Sequence, residues 1–268
     1  MILPEAAFNA YDTALQRQAE AASRRLAAFV DTLDFSGDYQ SRKAARDLVI
    51  EYMRELAAIY GDAAATLAAD LYDEMAEESG TKVPSAELAE RIADEAIASS
   101  VRYHAKNLWG QAVNLEAFKE GVLASIRRYV VEQANKTIIK NATRDGEKRG
   151  IRFARIPTGS ETCAFCIMLA SRGFVYVSEM TAEGLNHGHD NCDCKVIPGF
   201  GENPGVGGYS HRPYLDFYDD STVFDEYGHV NLEATLNNMR REIYPQYKDR
   251  RNALRRQRYA EQKKAEQQ

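Results

Sequence analysis

All four cysteines of this 268-residue chain fall in one window, from Cys163 to Cys194. A disulfide framework for a chain of this length would spread its bridges along the sequence. Thiols gathered in one stretch point to metal ligation instead. The stretch opens with Cys163-Ala164-Phe165-Cys166 and closes with His189-Asp190-Asn191-Cys192-Asp193-Cys194. CxxC is the spacing at which a tight turn presents two thiolates to one ion, and a second pair further along closes a tetrahedron. His189, Cys192 and Cys194 are three candidates for the two remaining places. Cys192 and Cys194 are two apart, so in an extended segment they point to opposite faces and only one meets the metal, unless a turn intervenes. His189 with Cys192 is then the natural second pair. The expected ion is a structural zinc. His187 reads as an exposed loop histidine, and HGHDNCDC is too polar to be core.

The same residues exclude several chemistries. A zinc nucleobase deaminase needs HxE ahead of PCxxC, and here the CxxC comes first. HExxH is absent. A Cys-His nucleophile is hard to read from a segment carrying both CxxC and CxC. No enzyme activity is expected.

The first 150 residues read as helix almost throughout. One helix starts near Pro4, a good first-turn residue. Asp38 caps a second, with Leu48, Tyr52, Leu56, Ile59, Leu67, Leu71 and Met75 as its apolar stripe. The run Ser79–Pro84 breaks it, and Ser85 is expected to cap a third through Leu88, Ile92 and Tyr103. A fourth spans about Asn114 to Asp145, with Leu115, Phe118, Val122, Ile126 and Val130 inward. Beyond Gly150, IRFARIP (151–157) and FVYV (174–177) are short β-type runs, and 184–213 is rich in turn residues and expected to be loop. Asn231 caps a helix through Leu236 and Met239, and the end from Pro245 is a basic helix or arm. The predicted fold is mainly α: a helical domain over 1–150, a small α+β Cys/His module over 151–243, and a basic tail over 244–268. Trp109 reads as core or a subunit contact.

Charge is segregated. Residues 1–100 carry a net −10, 101–155 a net +7, 156–243 a net −8 and the tail from Tyr244 a net +5. Lys136, Lys140, Arg144, Lys148 and Arg152 recur every fourth residue, a stripe that like-charge repulsion disfavours in an isolated helix. Two roles fit: contact with DNA phosphate at Lys136, Lys140, Arg144 and Lys148, or a face laid against the acidic first hundred residues. No apolar run of 18 residues is present and the N-terminus lacks a secretory pattern, so no membrane association is expected.

Thr162-Cys163-x-x-Cys166, then Met168-Leu169-Ala170-Ser171-Arg172-Gly173, then His189-x-x-Cys192-x-Cys194, resembles the C-terminal module of the phage Mu F-like minor head proteins, in the branch found in actinobacterial phages and prophages. The resemblance covers roughly 155–199. It implies a virion protein made in the host cytoplasm and present in several copies per particle. Such a protein binds portal or major capsid proteins and acts in head assembly, DNA packaging or ejection. It also implies that double-stranded DNA, if contacted, is contacted without sequence preference. The family's metal positions fall here on Cys163, Cys166, His189, Cys192 and Cys194. Gly188 and Asp190 stand where family members commonly place a proline beside the histidine. The alternative from another class is a metal-dependent nuclease or effector built on the same module. It lacks a convincing carboxylate pair, Asp190 and Asp193 being its nearest candidates.

Overall fold

The computed structural model describes residues 1–109, 113–159, 162–178, 192 and 194–265. It is mainly helical, and it divides into two compact units, Met1–Thr158 with Phe174–Tyr209, and Gly159–Gly173 with Ser210–Gln268.

In the first unit three long helices pack on one another: α1 (Glu5–Val30), α2 (Tyr39–Glu78) and, after the short α3 (Asp94–His104), α4 (Leu115–Arg149). Their boundaries follow local chemistry. Asp38 Oδ1 accepts the Ser41 N–H at 2.9 Å, and Asn114 Oδ1 accepts that of Ala117 at 3.0 Å. Each satisfies an N–H that the first helical turn leaves without a partner. α4 stops at Gly150, whose φ of 68° is left-handed and strains any residue bearing a Cβ. Leu15 and Leu26 of α1, Met53 and Leu56 of α2, and Phe118, Ile126 and Ile138 of α4 are buried together. Each such side chain contributes about 1.5–3 kcal/mol on leaving water.

The buried stripe of α2 is Val49, Met53, Leu56, Ala64, Ala68, Leu71 and Met75. Leu48 and Ile59, expected in that stripe, are instead 51% and 61% exposed, and Tyr103 and Leu115 also face outward. Small alanines, which the apolar pattern underweights, take the closest-packed positions because they let helix axes approach.

The third helix departs further from expectation. It begins at Asp94, not at Ser85, and 82–93 is an extended strap with no helix. The strap's backbone is satisfied by side chains of α4 on one face. Gln133 Nε2 donates to Ala89 O and Glu90 O (3.0 and 3.1 Å), Thr137 Oγ1 accepts the Ala89 N–H (3.2 Å), and Asn141 both accepts from Glu87 N (2.9 Å) and donates to Glu87 O (2.8 Å). Residues 133, 137 and 141 are each four apart, so they form one row along the helix. Side chains that offer the backbone other partners compete with helix formation, and the expected helix is displaced.

The sheet structure is small. β1 (Ile2–Leu3) pairs parallel with β4 (Gly205–Val206), and β2 (Arg152–Pro157) pairs antiparallel with β3 (Cys194–Gly199), Pro157 opposite Cys194. Among the described residues the 174–177 run contributes one bridge, Tyr176 to Phe153. β3 falls inside the stretch expected to be loop. Asn135 of α4 anchors it, donating to Cys194 O at 3.2 Å and accepting the Val196 N–H at 2.8 Å. Between those residues Lys195 points the other way, fully buried, with Nζ 3.1 Å from Asp12 Oδ1 and 2.9 Å from Thr158 Oγ1.

In the second unit α5 (Ala164–Ser171) packs on α6 (Arg212–Ser221) and α7 (Leu232–Ala265), burying Met168, Leu169, Leu236 and Met239. Asn231 caps α7 as its side chain accepts the Ala234 N–H at 3.0 Å, and α7 continues through Pro245.

Two buried phenols carry a pH signature. Burial, and after it the Asp145 carboxylate, raise the Tyr72 pKa above the ordinary tyrosine value, while burial and then Asp12 raise that of Tyr11. Both groups hold their proton in the folded chain at a pH where the unfolded chain releases it. Their contribution is therefore intact below about pH 10 and is lost as pH rises past it. Melting temperature should fall between pH 9 and 11, and Tyr11→Phe should lessen the fall. The Tyr11 hydroxyl has no hydrogen-bond partner among the described residues, so the same variant should match or exceed wild-type stability at pH 7. A Tyr11→Phe protein with an unchanged alkaline slope would refute the assignment.

Candidate metal centre

The second unit holds the CxxC pair. Cys163 is the N-cap residue of α5, and its Sγ accepts the Cys166 N–H at 3.3 Å while its carbonyl accepts that of Ile167 at 2.9 Å. The cap places Cys163 at the N-terminal end of α5, with its sulfur held by a backbone N–H of the first turn. Cys166, one turn on, is 1% exposed. Both features suit a sulfur ligand and neither requires a reactive cysteine.

The first unit holds the second pair. Cys194 opens β3 and is buried, and Cys192 is half-buried. Their sulfurs lie within 4.8 Å of one another. The two sulfurs thus lie near one another, the arrangement that the expectation reserved for an intervening turn. Register with β2 and the Asn135 bonds fix Cys194, while Cys192 lies before the strand begins and is not bound by its alternation. Zinc–sulfur bonds of about 2.3 Å put two thiolates of one tetrahedron about 3.8 Å apart, so this pair fits a shared ion. None of the four cysteines is in a disulfide. Each unit thus carries a pair of thiols of the kind that ligates a metal ion, Cys163 and Cys166 in the second and Cys192 and Cys194 in the first. His189, with His187, Asp190 and Asp193, lies outside the described residues.

A cleft of about 740 Å³ in the first unit is lined by Cys192, Cys194, Arg155, Arg128, Lys136 and Lys140, among others. The basic stripe borders it, and the strap engages that stripe. Lys136 lies 3.5 Å from Glu132. Lys140 meets Glu87 at 3.1 Å and donates to Leu88 O at 3.0 Å. Arg144 donates to Pro84 O and Ser85 O (2.9 and 3.1 Å) and pairs with Asp145 at 2.7 Å. Lys148 is exposed, and Arg152 belongs to β2 rather than to the helix. Of the two roles considered for the stripe, these contacts at Lys140 and Arg144 serve the second, because the strap belongs to the acidic first hundred residues.

Asp145 itself was not expected to carry weight. Its side chain is 1% exposed and receives Tyr72 Oη at 3.0 Å, Arg144 at 2.7 Å and Arg149 at 3.3 Å. Its local sequence carries no signal of this, because Glu147 and the neighbouring cations read as a solvated helix end. Trp109 packs against Tyr39 in a tilted pair with ring centroids 5.0 Å apart.

A helical chain with paired cysteines and no helix, among the described residues, long and apolar enough to cross a membrane is the class that the fold and site define. Residues 3–221 match the model of the VG15 protein family, and the chain belongs to that family. It is also similar to the Gene 15 protein of Mycobacterium phage D29, 32% identical over a 108-residue alignment that covers 29% of this chain and 38% of that protein. The chain thus matches well under half the length of that relative. No solved structure matches. The relative so named is a phage protein.

Proposed function

We propose that this protein is a minor head protein of a tailed phage, of the Mu F-like kind, that docks on portal or major capsid subunits during head assembly, packaging or ejection. Its place in the VG15 family is the observation that carries this reading. The paired cysteines support a structural role for the Cys module: one zinc ion, taken by thiols of Cys163, Cys166, Cys192 and Cys194 with His189 as the competing ligand, would staple polar chain that has little core of its own. Double-stranded DNA is a further proposed partner, met without sequence preference along the stripe of Lys136, Lys140, Arg144 and Lys148. The exposure of Lys148 favours that contact more than the strap-bound Lys140 and Arg144 do. Asp190 and Asp193, the acids on which the nuclease or effector alternative would rest, lie outside the described residues.

Mass spectrometry of proheads and mature particles tests the reading. The chain should be found in both or in proheads alone, at a small fraction of the major capsid copy number. Absence from both would sink it.

A further inference from the structure

We propose, on the footing of the head-protein reading above, that the hairpin over 222–231 is a finger that docks on a portal or capsid subunit. Its Phe224 and Tyr227 enter an apolar pocket on that partner protein, and the pocket's rim carries lysine or arginine. The hairpin belongs wholly to the second unit, between α6 and α7. Phe224 bridges Val230 in antiparallel pairing, flanked by the bonds Asn231 N–H to Val223 O and Asp225 N–H to His229 O, both 2.8 Å. That is the narrow, non-hydrogen-bonded kind of pair, so the two side chains stand close together on one face. Phe224 is 62% exposed, Val230 47%, and Tyr227 in the connecting turn 77%. A single exposed apolar side chain needs no explanation, but three on one short hairpin, two of them aromatic, are what binding anchors look like.

The finger is held in shape before any contact. Gly228 N–H donates to Asp225 O at 3.1 Å, and the Gly228 φ of 80° is the left-handed conformation that closes such a turn. Asp225 Oδ1 accepts the N–H groups of Tyr227 and His229, each at 2.9 Å, so one side chain pins the whole turn. At the base Thr235 Oγ1 of α7 accepts the Val223 N–H at 3.0 Å, and Asn238 of α7 donates to Ser221 O at 3.2 Å. A tip ordered in advance loses little conformational freedom on binding. Charge selects the partner. No lysine or arginine occurs from 213 to 239, and Asp219, Asp220, Glu226 and Glu233 stand exposed on and beside the hairpin, with no ion pair among the described residues. An apolar tip in an acidic collar is repelled by DNA phosphate and drawn to a cationic rim. The finger is therefore built for a protein, in contrast to the basic stripe of the first unit.

Titration of the full chain against the purified portal protein and, separately, the purified major capsid protein of the phage that encodes it tests this, with sedimentation velocity on the chain alone. One of the two proteins should bind wild type. Phe224→Ser and Tyr227→Ser should each weaken that binding more than tenfold at an unchanged melting temperature, because both side chains are exposed. Reversing the collar with Asp219→Lys, Asp220→Lys and Glu226→Lys should slow association and flatten its salt dependence. Asp225→Ala should weaken binding, whereas Asp225→Asn, which keeps the accepting oxygen, should retain it. If wild type binds and the Phe224 and Tyr227 variants bind equally well, the finger is overturned and the head-protein reading stands. If wild type binds neither protein, the docking reading falls and the finger with it. A lowered melting temperature in both variants would place the finger against its own chain, and wild-type self-association that they abolish would make a second copy the occupant; either result overturns the proposal.

Discussion

Native protein will contain one zinc per chain, and Cys166→Ser will lose it together with the order of the 155–199 region. Cys166 is buried directly behind the α5 cap, so its thiolate has no solvent to fall back on once the ion is gone. The sequence around the sulfurs, with His187, Asp190, Asn191 and Asp193, has few apolar groups to bury. Metal binding must supply what a core does not, and for structural zinc the apparent contribution is on the order of 10 kcal/mol. Elemental analysis with limited proteolysis, before and after chelation, checks this. Chelation should render the region protease-sensitive, and zinc should restore protection. Because ligands bind metal deprotonated, zinc should also be released on acidification. Metal-free protein that is already protease-resistant, or that carries two disulfides, would refute it. Cys192→Ser and Cys194→Ser compared with His189→Ala identify the final ligand: the substitution that leaves one zinc per chain marks the residue that stays outside the site.

Asp145→Ala will destabilise the first unit by about 3–5 kcal/mol, the range found when one partner of a buried charge network is removed. The carboxylate ties Tyr72 of α2 to Arg144 and Arg149 on α4. Arg144 in turn holds the strap at Pro84 and Ser85. Removing it leaves a buried phenol with one fewer acceptor and two guanidinium groups with less compensation. Denaturant unfolding measures the loss, and proteolysis within 82–93 should quicken alongside it. A loss below about 1 kcal/mol would show that water replaces the carboxylate without difficulty, as at an exposed pair.

These two sites were not equally legible. The thiol cluster announces itself because metal ligation needs particular residue types at short spacing, and four cysteines gathered in one stretch have few other uses. Asp145 sits in a sequence, Arg144-Asp145-Gly146-Glu147, indistinguishable from a solvated helix end. Its burial comes from Tyr72, 73 residues away. The strap was misread for a related reason. Ser85 followed by Leu88 and Ile92 has helical spacing, but Gln133, Thr137 and Asn141 outbid the helix for that backbone, and nothing local to 82–93 reveals them. β3 was hidden by its proline and glycine, which mark a loop until Asn135 and β2 are seen to satisfy the rest of its backbone.

The sequence by itself determined the helical character, the caps at Asp38 and Asn231, the start of the fourth helix near Asn114 and its end before Gly150, and the clustering of the four thiols. Each rests on interactions within a few residues, where spacing and side-chain chemistry act without reference to distant partners. The tertiary structure alone decided which side of each helix is buried, that 82–93 lies extended on α4, that Lys195 is buried against Asp12, and that Cys192 and Cys194 turn their sulfurs toward each other. Those outcomes depend on which long-range partner satisfies a buried polar group. A buried group must be satisfied wherever the chain can bring a partner, and its own neighbourhood does not encode that partner.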